Sequence, residues 1–214
     1  MFRLFLTHLA SEREFVASVQ RVLASQGIDS FVAHNDIKPS AEWVTSIELA
    51  LWTCDALAAF LHNGFQQSLW CDQEVGFVFG RRKPMVPLAI DTLPYGLLGK
   101  YQAILCKGEP PPHVARSIVD TLLENRESRQ GIIDAQLYAL ADALSFDHAN
   151  GIAGRLSGEM QRDDWTGERL DLLTKALENR QVSDARRAEP WARETLKEHR
   201  PPLVPPPSDK DVPF

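Results

Sequence analysis

Up to about residue 126 the apolar residues fall into short unbroken runs separated by longer amphipathic stretches. Arg3-Leu4-Phe5-Leu6-Thr7-His8, Ser30-Phe31-Val32-Ala33, Ala56–Leu61, Met85–Ile90 and Ala103-Ile104-Leu105 have strand length and little alternation. Such runs are covered on both faces, as in a parallel sheet. Pro87 weakens the fourth run, because proline removes a ladder donor. Between the runs the apolar period switches to that of a helix. Ser11 and Glu14 have capping-box spacing ahead of Phe15, Val16, Val19, Val22 and Leu23, and Gly27 suits a left-handed stop. Trp43, Ile47 and Leu51 mark a second helix that Ser40 can cap, residues 68–80 a third, and His113 to Asn125 a fourth. This rhythm predicts a doubly wound sheet with right-handed crossovers.

Past Arg126 no further strand-like run occurs. Ile132, Ile133, Leu137, Leu140, Ala141 and Leu144 form a helical stripe. Asp147 is placed to cap a second helix with Ile152, Ala153 and Leu156, and Thr166 a third with Leu170, Leu172, Leu173 and Leu177. A weaker stripe holds Trp191, Ala192 and Leu196. From Pro201 onward prolines prevent regular structure. The expected organisation is an α/β domain over 1–126, a small all-α module over 127–200 for packing, self-association or partner docking, and a proline-rich tail over 201–214.

Within this pattern, Ser68-Leu69-Trp70-Cys71-Asp72-Gln73-Glu74 is the stretch of greatest chemical interest. Ser68 can cap the helix, and Asp72 suits the positive end of its dipole. Cys71, Val75, Val78 and Phe79 share an apolar face, with Trp70 and Glu74 an i, i+4 pair on its flank. The plain reading is a surface glutamate beside a half-buried indole. Ligands of doubly wound sheets bind beyond the carboxyl ends of the strands. Thr7, His8, the loop around Asp36, His62 and the start of this helix all belong at that edge.

Composition narrows the classes. A net charge of −6 carries no nucleic-acid footprint. No apolar run approaches a membrane span, and Met1 to Leu9 lacks the features of a signal peptide. Cys54, Cys71 and Cys106 are odd in number and widely spaced. They fit buried thiols in a reducing compartment, so a cytoplasmic protein without a disulfide frame or zinc site is expected. The absence of glycine-rich Rossmann or Walker patterns speaks against a dehydrogenase or P-loop NTPase.

Four pieces together resemble a bacterial TIR (Toll/interleukin-1 receptor) domain. They are Leu4-Phe5-Leu6-Thr7-His8, Asp36-Ile37-Lys38-Pro39 with Trp43, Gly64 to Glu74 with Gly76, and Pro94-Tyr95-Gly96 to Gly99-Lys100-Tyr101-Gln102-Ala103. The resemblance implies a flavodoxin-like sheet of five parallel strands. It implies cleavage of NAD+ between nicotinamide and ribose, giving ADP-ribose or a cyclic isomer, as in antiphage immunity. Glu74 is then the catalytic residue. Trp70, Thr7, His8, Leu9, Asp36, Trp43 and Ser68 are the expected substrate-binding residues. NAD+ is substrate rather than cofactor, no metal is expected, and homo-oligomers through TIR–TIR contacts are. One departure is Ser40, where many members carry glycine.

Several of these residues also have plainer roles. His8 suits loop hydrogen bonding as well as substrate contact, Asp36 can turn its own loop, and Trp43 can anchor the core. Two other functions compete: a non-catalytic TIR adaptor acting by homotypic contacts, and a nucleoside deoxyribosyltransferase-like enzyme.

Overall fold

The computed structural model describes residues 1–32 and 43–200, Trp43 for its backbone alone. Five strands, β1 (Phe2–Thr7), β2 (Ile28–Phe31), β3 (Ala56–Leu61), β4 (Met85–Ala89) and β5 (Ile104–Leu105), form one sheet in the order β2-β1-β3-β4-β5. All four pairings are parallel. This is the flavodoxin-like order, in which the chain reverses direction across the sheet between β1 and β3. The helices are α1 (Arg13–Ser25), α2 (Trp43–Thr53), α3 (Leu69–Gly80), α4 (Pro111–Glu124) and α5 (Arg129–Ala141).

Side chains alternate across a strand, so odd and even positions serve different layers. Phe5, Leu57, Ala59, Leu61 and Met85 pack with Ile47 and Leu51 of α2 and Cys71, Val75 and Val78 of α3. On the other face Phe60 meets Phe15 of α1 edge-on, with ring centroids 6.4 Å apart. This parity decides what reaches the functional edge. Thr7 continues the Phe5 face toward α3, whereas His62 continues the Phe60 face toward α1, where Phe15 also meets its ring.

Several local expectations are corrected. The second strand begins earlier, at Ile28. Pro87 does lie in a strand flanked on both sides. The Ala89 carbonyl faces β5, where it accepts from the Cys106 N–H, and Pro87 has the same parity. The β5 ladder begins only opposite Leu88, so the missing proline N–H leaves no partner unpaired. Ser11 does not form a capping box with Glu14. Its hydroxyl donates to Glu12 within a 3₁₀ turn, and α1 starts at Arg13 without a side-chain cap. The Ser40 cap lies outside the described residues.

Gly27 has φ +77°, as the helix stop requires, and a second constraint besides. A Cβ there would stand 2.2 Å from the Ala135 carbonyl oxygen. Gln136 of α5 also donates to the Gln26 carbonyl at 2.7 Å. The first compact unit accordingly extends to Ala139, past the boundary expected at residue 126.

The second unit, from Leu140, contains α6 (Phe146–Glu159), α7 (Gly167–Ala176), a short α8 (Arg180–Ser183) and α9 (Ala188–His199). Its core is Ile152, Leu156, Leu170, Leu173 and Val182 filled in with alanines. Thr166 caps α7 as expected, accepting from the Arg169 N–H. Ser145 rather than Asp147 caps α6, through the His148 N–H at 3.1 Å. Leu144 is exposed instead of continuing its stripe. The tail expected over 201–214 lies outside the described residues. Among the described residues no helix is long and apolar enough to cross a membrane.

Candidate active site

α3 begins where expected. Gly64, at φ +95°, turns the chain after β3, and a 3₁₀ turn (Phe65–Gln67) leads to Ser68. The Ser68 hydroxyl accepts from the Cys71 N–H at 3.3 Å, a cap worth about 1 kcal/mol. Asp72 in the first turn accepts from the Tyr95 hydroxyl at 2.5 Å. The Pro94-Tyr95-Gly96 segment is thereby fastened to the outer side of α3. Lys100 adds a second fastening, its ammonium 4.1 Å from the Phe79 ring centroid.

The plain reading of this helix is reversed. Glu74 is only 6 % exposed, whereas Trp70 is 44 % exposed. Phe79 is only partly buried, and Glu74 occupies the core-facing side between Cys71 and Val75. Burial is the dominant influence on the carboxyl and raises its pKa from 4.5 to about 7. Thr7, at the end of β1, opposes this. Its hydroxyl also lowers the Cys71 pKa, though it completes a hydrogen bond of full geometry with neither group. No cation among the described residues offsets the desolvation of Glu74. The Cys71 thiol is itself pushed up, chiefly by burial, and donates to the His8 carbonyl at 3.6 Å. It is a packed thiol rather than a nucleophile.

Glu74 opens onto a cleft of about 380 Å³ between α2 and α3. This lies within the size range of small-molecule sites. Trp70, Gln73, Glu74 and Phe77 form one wall, and Val44, Glu48, Leu51 and Trp52 the other. Each set follows helical spacing, so two stripes face each other. Trp52 and Phe77 meet edge-on with centroids 5.0 Å apart. The Arg81 guanidinium lies 6.0 Å from the Trp52 ring centroid. It also donates to the Leu51 and Cys54 carbonyls, closing the end of α2. A larger cavity, about 560 Å³, runs beside β2, but no charged side chain lining it is buried.

The predicted site residues divide into three groups. Trp70 and Glu74 share the cleft, with Thr7 behind the carboxylate. His8, Leu9 and Ser68 lie at the same edge without lining the cleft. His8 is buried with its Nδ1 3.0 Å from the Leu6 carbonyl, Leu9 packs on the core, and Ser68 caps α3. Asp36 and the side chain of Trp43 lie outside what is described. Sequence reasoning missed Trp52, Phe77, Glu48 and Gln73. The signal was available in Val44, Glu48, Leu51 and Trp52, spaced as one helical face. His62 at the same edge joins a different cluster, 3.3 Å from Asp91 and 3.6 Å from Glu12. Cys54, Cys71 and Cys106 are all buried free thiols.

A family model described as TIR domain matches residues 4–121, more than half of the 214-residue chain. No curated protein matches the chain. Among solved structures, it is similar to the TIR domain of the Toll-related Receptor TRR-2 from Hydra magnipapillata. Identity there is 17% and the TM-score 0.47, over 58% of this chain and 100% of that one. With its five-stranded parallel sheet and this family match, the chain belongs to the TIR domain family.

Proposed function

We propose that this protein is an NAD+ glycohydrolase or cyclase of the TIR type, acting in bacterial antiphage immunity with Glu74 as the catalytic carboxylate. The observation that carries the reading is a buried carboxyl, without a cationic partner among the described residues, in the wall of an aromatic cleft. A cation arriving beside such a group offsets its desolvation and favours the ionised form.

Nicotinamide in NAD+ is a cationic leaving group. When the C1′–N bond breaks, the electron pair leaves with nicotinamide, which departs neutral without a general acid. Positive charge develops on the ribose, and a carboxylate fixed beneath it stabilises that charge. Carboxylates at glycosidic bonds work by the same logic. The low-polarity surroundings that raise the Glu74 pKa also strengthen its attraction for the oxocarbenium-like centre. The cationic ring of the bound substrate favours the ionised form of Glu74. Water attacking C1′ gives ADP-ribose and releases a proton. Attack by a nucleophile of the same molecule gives a cyclic isomer. Trp70, Trp52 and Phe77 supply aromatic faces for a flat base, each stack worth about 1–3 kcal/mol.

The test is incubation of the full chain with NAD+, over a series of protein concentrations, with products identified by mass spectrometry. Nicotinamide together with ADP-ribose or an isomer of it is expected, with specific activity rising as protomers associate. NAD+ left intact at every concentration contradicts the reading.

One observation favours a second reading, an adaptor that works by homotypic contact, as TIR domains generally do. Val44, Leu49, Trp52, Leu69 and Trp70 place exposed apolar side chains on α2 and α3. Their cost to solubility is accounted for if another protomer covers them. On this reading Leu49→Asp abolishes association and signalling, whereas Glu74→Gln leaves both intact.

A further inference from the structure

The stripe of α3 that walls the cleft does not stop at Phe77. Trp70, Glu74, Phe77 and Arg81 follow one another at helical spacing, so Arg81 continues the same face just past the last turn of the helix. Near Phe77 the cleft is closed by Trp52 of α2, which meets that ring edge-on. Arg81 stands next to this closed end, with its guanidinium over the Trp52 ring.

This one side chain joins the two walls. Its Nη1 donates to the Cys54 carbonyl at 3.0 Å and to the Leu51 carbonyl. Both carbonyls belong to the end of α2, where a helix has no partners of its own to offer them. The same guanidinium lies 6.0 Å from the Trp52 ring centroid, within reach of a cation–π contact. Trp52 is 62 % exposed. An indole so open to solvent keeps one orientation only where neighbours hold it, and here α3 supplies Phe77 and Arg81.

We propose that Arg81 is a positioning residue for substrate binding: it pins the end of α2 to α3 and holds the Trp52 indole at the closed end of the cleft, where the flat base of the substrate packs. The inference rests on the reading of the cleft as the NAD+ site. Phe77 follows Glu74 by three residues, so a stacking surface held against Phe77 stands about 4.5 Å along the axis from the carboxylate. A displaced indole weakens capture of the base and leaves Glu74 where it is, so the loss falls on KM rather than on the chemical step. Lysine does not replace Arg81. Its ammonium is a point charge on a flexible stem, whereas a guanidinium bridges two carbonyls and stacks on an aromatic face at once.

The experiment observes the ¹⁹F signals of the full chain labelled with fluorotryptophan, in which Trp52→Phe assigns one of the five. Arg81→Gln is expected to move the Trp52 signal and to leave those of Trp165 and Trp191, in the second unit, in place. Arg81→Lys keeps a positive charge at the end of α2, which protects the fold, and is expected to move the Trp52 signal as well. In steady-state kinetics each variant should raise KM for NAD+ about 5-fold, with little change in kcat and none in the pH at which kcat/KM breaks. In a Trp52→Ala background Arg81→Gln should add nothing further to KM. A Trp52 signal that stays in place in both variants overturns the proposal. So does a rise in KM that persists in full when Trp52 is already alanine. Wild-type protein that releases no nicotinamide contradicts the reading of the cleft instead, and the ¹⁹F signals then decide the role of Arg81 by themselves.

Discussion

Trp70 and Glu74 stand one helical turn apart on α3 with environments opposite to their chemistry: the carboxylate is buried and the indole is half open to solvent. A helix face that buries an acid and leaves an indole exposed is not arranged for stability. On the proposed function, it holds a desolvated carboxyl beside a surface on which a flat base can stack.

The first consequence is a pH dependence of activity. Glu74 must be ionised to stabilise positive charge on the ribose, and its pKa in the free protein is raised to about 7. The rate at low substrate concentration should therefore rise with pH up to about 7 and level off above it, falling about tenfold for each pH unit below. The rate at saturating NAD+ should break at lower pH, because the bound cation favours the carboxylate. Measuring kcat/KM and kcat across pH 5 to 9, with enzyme stability checked at each point, tests both statements.

A second consequence concerns stability. A carboxyl whose folded pKa lies above its unfolded value holds its proton more tightly when folded. The protein is then most favoured below the ordinary value of 4.5 and loses stability as pH rises toward about 7. The full loss corresponds to about 3 kcal/mol. Glu74→Gln removes the ionisation, so the variant should be more stable than wild type by up to that amount at pH 8, with little difference at pH 4. Denaturant unfolding at the two pH values checks it.

The aromatic walls should act on binding. Trp52→Ala removes a stacking face from the cleft and the partner of Phe77, and should raise KM by about 5- to 150-fold with a smaller effect on kcat. Steady-state kinetics with NAD+ separates the two. Equal loss in kcat alone would place Trp52 outside the substrate contacts.

Tyr95→Phe deletes the hydrogen bond to Asp72 while keeping the ring against Phe65. A hydrogen bond to a charged group at a partly exposed site contributes about 1 kcal/mol. The variant should lose that much stability, read by denaturant midpoint.

Much of the fold was legible because parallel strands and their helices write different periods into the sequence. Ala56–Leu61 and the helix after Ser68 were placed from those periods, and the order of the pieces fixed the topology. Pro87 misled because its missing donor matters only where a neighbour faces it, and strand parity cannot be read from one run alone. Packing of α5 on Gly27 was invisible for a related reason: a glycine at a helix stop looks the same whether or not a carbonyl presses on it. In the site, sequence brought Glu74 and Trp70 together but left open which of the two meets solvent. Helical spacing gives neighbours, and burial depends on which face meets Thr7 and Phe5. His62 was placed at the correct edge, but its parity turns it to the α1 side.

The central claim, that Glu74 carries the chemistry, is tested most directly by the initial rate of nicotinamide release from NAD+ at pH 8, wild type against Glu74→Gln at matched concentration and association state. The account predicts a loss of about 10²- to 10³-fold or more in a variant at least as stable as wild type. Equal rates of release from the two proteins would contradict it.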